Sequence, residues 1–278
     1  MDRPLLVSIS CITYNHAPYI RQCLDGFLMQ KTDFSFEVLI HDDCSTDGTT
    51  DIIKEYEAKY PHIIKPLYEE ENQYQQGKPA GSAVWNYPRA KGKYIALCEG
   101  DDFWNDPLKL QRQVDFMELH PDYSLCFHAH YLLYDDNSRI EIKRFESDNY
   151  DCSISEMIVS GGGYMATNSM LFRHEHILNY PEWALQAPVA DFPLMLVLFH
   201  RGKVAYLNMS SSVYRMCIVG SWSARMKNIP YIKRHFKMTD NMLKSFNRWS
   251  GSQYRWAVLK KRLKNKILKV RDILKHII

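Results

Sequence analysis

Apolar and polar positions alternate along the first half of the chain in two rhythms. Leu5 to Thr13, LLVSISCIT, is a continuous apolar-rich run that predicts a buried strand. Pro18 to Gln30 follows with Ile20, Cys23, Leu24, Phe27 and Leu28 on one side at helical spacing. Phe36 to Ile40 predicts a second strand, and Thr49 to Tyr60 a second helix that Ser45, Thr46 or Asp47 can cap. Ile63 to Leu67 and Lys93 to Cys98 predict a third and a fourth strand. Between them GSAVWNYPRA predicts a short helix, its hydrogen bonding disturbed by Pro88, and Leu108 to His120 predicts a helix after them. Strands separated by helices imply an α/β fold with a doubly wound, mostly parallel central sheet and helices on both faces.

The second half is less regular. Tyr123 to Tyr134 alternates like a strand, and RIEIKRF (Arg139 to Phe145) can pair with it as a hairpin. Gly161, Gly162 and Gly163 precede YMATNSMLF, which predicts another strand. Asp191 to Arg201 predicts an apolar helix, and Val204 to Leu207 and Ser212 to Arg215 predict two short strands. From Pro230 onward the pattern is helical, basic and aromatic. The expected division is therefore a catalytic-sized α/β domain over residues 1–225 and a helical extension over 226–278.

Composition narrows the class. With 278 residues, 46% of them apolar and 13% aromatic, the chain can bury a large core and is not disordered. Seven scattered cysteines, none in a C-x-x-C, suit free thiols in a reducing compartment. The N-terminal apolar run is too short for a secretion signal, and no run approaches the ~20 apolar residues that span a bilayer. A cytoplasmic protein is expected. Charge is asymmetric: Gly251 to Ile278 holds nine Lys or Arg and one Asp, which leaves residues 1–250 mildly acidic although the whole chain carries +3. No nucleic-acid partner is expected. WAVLKKRLKNKILKVRDILKHII carries Val258, Leu259, Leu263, Ile267, Leu268, Ile273 and Leu274 in a broad stripe among its cations. Such a helix suits an anionic membrane surface on the inner face of the cell membrane, or it folds back on the acidic domain.

Candidate chemistry gathers at strand ends, where sheets of this class open onto their ligand crevice. Thr13-Tyr14-Asn15 ends the first strand, Asp42-Asp43 the second and Glu99 to Asp102 the fourth. Neither a G-x-G-x-x-G nor a P-loop follows any of them. Ser45 to Gly48 reads first as a turn and cap, and Asn105 to Pro107 as a helix start. Those readings leave Asp42, Asp43, Asp101 and Asp102 unexplained. Hard carboxylate oxygens at such density suit Mg2+ or Mn2+, whose shell a substrate's phosphates complete. His128 and His130 lie on one strand face without a carboxylate at ligand spacing, which favours structural roles.

TYNHAPYI, VLIHDDCSTDGT and GKYIALCEGDDFWNDPLKLQRQ, in this order and spacing, resemble the family 2 glycosyltransferases of GT-A fold. The likeness is densest over residues 5–125 and strongest toward bacterial members that build capsule, O-antigen and similar polysaccharides. The resemblance implies an inverting transfer of a sugar from a nucleotide-diphosphate donor, a UDP-sugar as first expectation, to a hydroxyl of a glycan or lipid-linked glycan, with Mn2+ or Mg2+. It implies that Thr13, Tyr14, Asn15, Asp42 and Asp43 line the nucleotide pocket. Glu99 leads the family's D-x-D element, with Asp101 and Asp102 holding the metal. Asp191 falls where the family places its general base. Relatives often continue with Y-R-x-H and a W-S pair; here YRMCIVGSWS puts Cys217 in the histidine's place. Arg215, Cys217, Trp222, Asn168 and Ser169 are the remaining candidates for phosphate or acceptor contacts. Two other classes stay open. A non-catalytic nucleotide-sugar binding protein would keep the pocket without turnover. A sugar-phosphate nucleotidyltransferase would need a basic Gly-rich loop after the first strand, and TYNHAPY is not one.

Overall fold

A computed structural model describes residues 3–77, 81–147, 150–216, 225–226 and 228–274. The strands are β1 (Leu5–Thr13), β2 (Ser35–Asp42), β3 (Ile64–Tyr68), β4 (Tyr94–Leu97), β5 (Phe103–Trp104), β6 (Tyr123–Leu133), β7 (Arg139–Ile142), β8 (Tyr150–Asp151), β9 (Leu171–Arg173) and β10 (Lys203–Arg215). The helices are α1 (Ala17–Leu28), α2 (Thr49–Lys59), α3 (Ser82–Trp85), α4 (Lys109–Leu119), α5 (Ile154–Ser160), α6 (Glu182–Leu185), α7 (Asp191–Arg201), α8 (Ile229–Trp249) and α9 (Arg255–Leu274). One sheet runs β3-β2-β1-β4-β9-β6-β10-β5, with β7 on β6 and β8 on β10. β3, β2, β1 and β4 are mutually parallel, as are β6 and β10, while β9 enters antiparallel between the two groups.

The parallel half is apolar because helices cover it. Ile9, Cys11, Leu24, Phe27, Ile40, Trp104 and Val114 share one core cluster, and a fully buried Phe27 alone contributes about 1.5–3 kcal/mol. Ser8 and Asn86, polar residues buried within it, are both partnered. Ser8 Oγ donates to Glu37 Oε1 at 2.7 Å and receives the Gly92 N–H at 2.9 Å. A Cβ on Gly92 would stand 2.5 Å from the Ser8 nitrogen, so only glycine lets that chain approach β1. Asn86, wholly buried, donates from Nδ2 to Ser10 Oγ, Cys11 O and Leu39 O and pins the segment after α3 beneath β1 and β2.

The opposite face of the sheet carries a second cluster: Leu125, Phe127, Phe172, Leu196 and Phe199, joined by Met242 and Phe246 of α8 and Val258 of α9. The two final helices thus close over this core. Asp240 of α8 receives Arg262 Nε of α9 at 2.5 Å and ties the pair together. Among the described residues no helix is long and apolar enough to cross a membrane.

Two predicted elements take another form. YMATNSMLF is extended only at Leu171–Arg173; Gly162–Tyr164 and Thr167–Ser169 are 3-10 turns. Asn168 is the reason, since its side chain donates to Val213 O and to Asp102 in place of a strand ladder. The two short strands predicted at 204–207 and 212–215 are one strand, β10, whose register against β6 shifts between Leu207 and Ser210 and again before Ser212. The polar run Asn208 to Ser212 marks those irregularities, not a strand end.

Lys109 is an unusual core residue. It is fully buried, its Nζ donates to Gln113 Oε1 at 2.6 Å and lies 3.9 Å from the Trp104 ring centre. Burial pulls its pKa down to about 7. Because the folded value lies below the unfolded ~10.4, the unfolded chain binds more protons between the two. Stability from this group is therefore complete above the unfolded value and is lost as pH falls through about 7. Relative to a Lys109→Met protein, the native protein should gain stability toward alkaline pH over that window, by up to ~1.4 kcal/mol per pH unit. Parallel denaturation midpoints for both proteins across the window would refute this.

Candidate functional site

The carboxyl ends of β1, β2 and β4 meet at one edge of the sheet. The first two are interlocked. Asn15, at φ 55°, donates its N–H to Ser45 Oγ at 2.9 Å and accepts the Thr46 N–H at 2.8 Å. His16 N–H reaches Thr49 Oγ1 at 2.8 Å, and Ala17 N–H reaches Asp47 Oδ2 at 2.9 Å. The adjacent Asp42 and Asp43 are tolerated because they turn to different donors. Asp42 accepts from Ser45 N–H at 3.2 Å, Ser45 Oγ at 2.5 Å and Thr50 Oγ1 at 2.5 Å. Asp43 accepts the N–H groups of Gln73 at 2.7 Å and Tyr74 at 3.2 Å, fixing the loop after β3. Tyr14 stays exposed at the rim and accepts from Gln75 Nε2 at 3.4 Å.

The end of β4 supplies the acidic centre. Glu99, Asp101 and Asp102 present oxygens within 4.8 Å of one another. Burial pushes Glu99 up to about 8, with Asp101 and then Asp191 adding to the shift and Arg225 opposing it. Asp102 is buried and likewise held well above the ordinary carboxylate range, by burial first and Asp101 next. Its Oδ1 accepts the Arg215 N–H at 2.9 Å and its Oδ2 accepts Asn168 Nδ2 at 3.0 Å. Asp101 Oδ1 is buried without a hydrogen-bond partner, while Oδ2 stands 3.9 Å from His16 Nε2. Gly100 between them has Thr13 Oγ1 2.6 Å from where a Cβ would sit, so a side chain there would separate the β1 and β4 ends.

Asp191 opens α7. Ala190 occupies the cap position without a side-chain cap bond, and burial raises the half-buried Asp191 carboxyl above its ordinary value. Gly161 and Gly162 form a thin bridge beside it. A Cβ on Gly162 would stand 2.9 Å from Asp191 Oδ2, and one on Gly161, at φ +81°, would collide with Lys261 Nζ. Lys261 comes from α9 and donates to Ser160 O at 3.0 Å.

Thr13, Glu99, Asp101 and Asp102 thus meet at one edge of the sheet, and Asp191 is close enough to act electrostatically on Glu99. Asn168 and Ser169 are not on the surface: both are fully buried, Asn168 supporting Asp102 and Ser169 bonded to Ala166 O, so neither is exposed for the expected acceptor contact. Arg215 turns its guanidinium to Asp101 O and Gln22 Oε1, bracing the acidic loop from the side. Cys217 and Trp222 lie outside the described residues. Sequence reasoning missed three groups. His16 reaches Asp101 from the turn after β1. Tyr214 is pushed up by burial and then by Glu99, Asp102, Asp101 and Asp191 in turn. Arg225 donates to Tyr74 Oη at 2.5 Å and lowers Glu99 electrostatically. Only His16 had a signal, its place in the polar stretch that ends the first strand.

A mostly parallel sheet with helices on both faces is the architecture of GT-A glycosyltransferases, and solved structures share this fold. The Staphylococcus aureus TarS 1-349 structure with UDP-GlcNAc superposes with a TM-score of 0.60 at 17% identity, over 88% of this chain and 72% of that one. A mannosyltransferase of Pyrobaculum calidifontis in complex with GDP-Man and Mn2+ gives 0.59 at 15% identity, over 93% and 73%. Residues 8–191 match Glycosyl transferase family 2, and the chain belongs to that family. It is 36% identical over 218 residues to an uncharacterized protein of Mycobacterium tuberculosis, covering 78% of this chain and 60% of that protein. It is 34% identical over 159 residues to the putative teichuronic acid biosynthesis glycosyltransferase TuaG of Bacillus subtilis, covering 55% and 59%. The chain spans about 60% of the length of these relatives.

Proposed function

We propose that the protein is an inverting glycosyltransferase that moves a sugar from a nucleotide-diphosphate donor to a hydroxyl of a glycan or lipid-linked glycan during surface-polysaccharide synthesis. The observation that carries this reading is the acidic centre at the end of β4, within electrostatic reach of the carboxylate that opens α7. The relatives support the wider setting: TuaG is named for teichuronic acid, and the solved neighbours hold UDP-GlcNAc or GDP-Man. A UDP-sugar is the donor proposed first.

The residues present fit a divalent cation. Their donors are all carboxylate oxygens, Asp101 Oδ1 is buried with nothing to accept from, and Glu99 is raised by burial first and by its like-charged neighbour Asp101 next. Asp101 would hold Mn2+ or Mg2+ first. Asp102 spends one hydrogen bond on each oxygen and, with about four lone-pair directions per carboxylate, keeps room to share it. When bound, the ion supplies positive charge to the leaving diphosphate.

The protein's own groups do the rest. Tyr14 and Asn15, on a rim that the hydrogen-bonded Asp42 and Asp43 hold in place, receive the nucleotide. Asp191 takes the proton from the acceptor hydroxyl as its oxygen attacks the anomeric carbon, and the carbon–oxygen bond to the diphosphate breaks. One base on the acceptor side suffices for such a single displacement, which inverts the anomeric centre.

A ligand that binds only the folded state raises the melting temperature. A UDP-sugar with Mn2+ should raise it, and removal of the cation with a chelator should reverse most of the shift. No shift with any UDP- or GDP-sugar in the presence of Mn2+ would overturn the donor assignment. Turnover is tested separately by release of free nucleotide, which a pure binding protein would not give.

A further inference from the structure

The helix α9 faces the wrong way for an ordinary surface helix. Its inward face is Val258, Lys261 and Asn265, all buried. Its outward face is a line of Trp256, Leu259, Leu263, Ile267, Val270 and Leu274, between 43% and 71% exposed. Steps of three and four residues keep these six on one stripe, about 27 Å long at 1.5 Å per residue. Amphipathic helices of globular proteins normally turn such a stripe to the core. Here the core side is taken by Lys261, which holds Ser160 O beside Gly161, and by the tie of Arg262 to Asp240.

Charge decides what covers the stripe. At 100° per residue, Lys260 and Lys264 border it on one side and Arg255 and Lys266 on the other. All four are exposed, and none has an ion-pair partner among the described residues. A second copy laid face to face would bring these rows of like charge together. An anionic bilayer offers both complements at once: acyl chains for the apolar line and acidic headgroups for its borders.

We infer that α9 docks the protein on an anionic lipid surface, with Trp256, Leu259, Leu263, Ile267, Val270 and Leu274 seated at the boundary between headgroups and acyl chains. The inner face of the same helix reaches the Gly161-Gly162 bridge beside Asp191, so the lipid contact and the acceptor side of the crevice share one element. The docking itself does not depend on the proposed reaction, but it suits an acceptor carried on a lipid.

The test is co-sedimentation of the full chain with vesicles of phosphatidylcholine alone and of phosphatidylcholine with an equal part of phosphatidylglycerol, without donor or metal. Failure here is therefore separate from failure of the enzymatic reading. The protein should bind the anionic vesicles, weakly at high salt, and should leave the neutral ones largely in the supernatant. Leu263→Glu with Ile267→Glu should weaken binding by at least ~10-fold, because each removes a large apolar side chain from the lipid. Lys260→Glu with Lys264→Glu should abolish the preference for phosphatidylglycerol. All four positions are exposed, so an unchanged melting temperature will show that the variants fold. The inference is overturned if the native protein ignores anionic vesicles, or if both variants bind like it. It is equally overturned if size-exclusion chromatography shows a dimer that Leu263→Glu with Ile267→Glu dissociates while lipid is absent, since the stripe then belongs to a second copy.

Discussion

Asp191→Asn should lower sugar transfer by ~10² to 10⁴-fold while donor affinity and melting temperature stay close to native. Asparagine keeps the size and much of the hydrogen bonding of aspartate but cannot accept the proton of an attacking hydroxyl. The substitution should cost little stability, because Asp191 does not supply the cap of α7; Ala190 stands there without a side-chain bond. The pH profile gives a second readout. Burial raises the Asp191 carboxyl, and a base works only when ionised. The native rate should thus decline toward acid through a point above the usual aspartate range, and the residual rate of Asp191→Asn should lack that limb. Transfer by Asp191→Asn within a few-fold of native would place the base elsewhere.

Asp101→Asn should produce opposite signs in two measurements. Transfer, and the Mn2+-dependent part of donor binding, should fall by at least ~10²-fold, since several kcal/mol of charge stabilisation depend on a metal ligand. The metal-free protein should instead become more heat-stable. After burial, Asp101 is the largest influence raising Glu99 and Asp102, so its neutral analogue relieves repulsion among three crowded carboxylates. A carboxylate kept for structure would behave in reverse, losing stability and sparing the metal response. Undiminished turnover of Asp101→Asn in the presence of a chelator would remove the cation from the reaction.

Local pattern carried much of the fold. β1, β2 and β4 are legible because strands buried on both faces show as short apolar runs, and the carboxylates at their ends stand out against those runs. What those carboxylates do is less legible. Asp42 and Asp43 look like a pair awaiting a ligand, yet hydroxyls three and eight residues away and amides thirty and thirty-one residues away already hold them. Asn168 reads as a strand residue because nothing local announces Asp102, which lies 66 positions earlier. Tyr214 and Arg225 reach the acidic centre from more than a hundred residues on, so no spacing rule could have found them. In α9 the periodicity reveals a stripe but not its direction. The periodicity places Val258 with Leu259, Leu263 and Ile267, whereas the fold buries Val258 on the side of Lys261 and turns the others outward. Which side of a helix faces inward is settled by what it packs against.

The Gly161-Gly162 bridge has a consequence for how the protein can diversify. A side chain on Gly161, already at φ +81°, would displace the Lys261 ammonium, and one on Gly162 would press on the Asp191 carboxyl, so the last helix is coupled to the proposed base through two closely packed glycines. Mutations on the inner side of α9 would be felt at the chemistry, and those on its outer side would not. New attachment surfaces can therefore be tried on the outer side at little cost to turnover, while the inner side is confined to substitutions that keep the same contour.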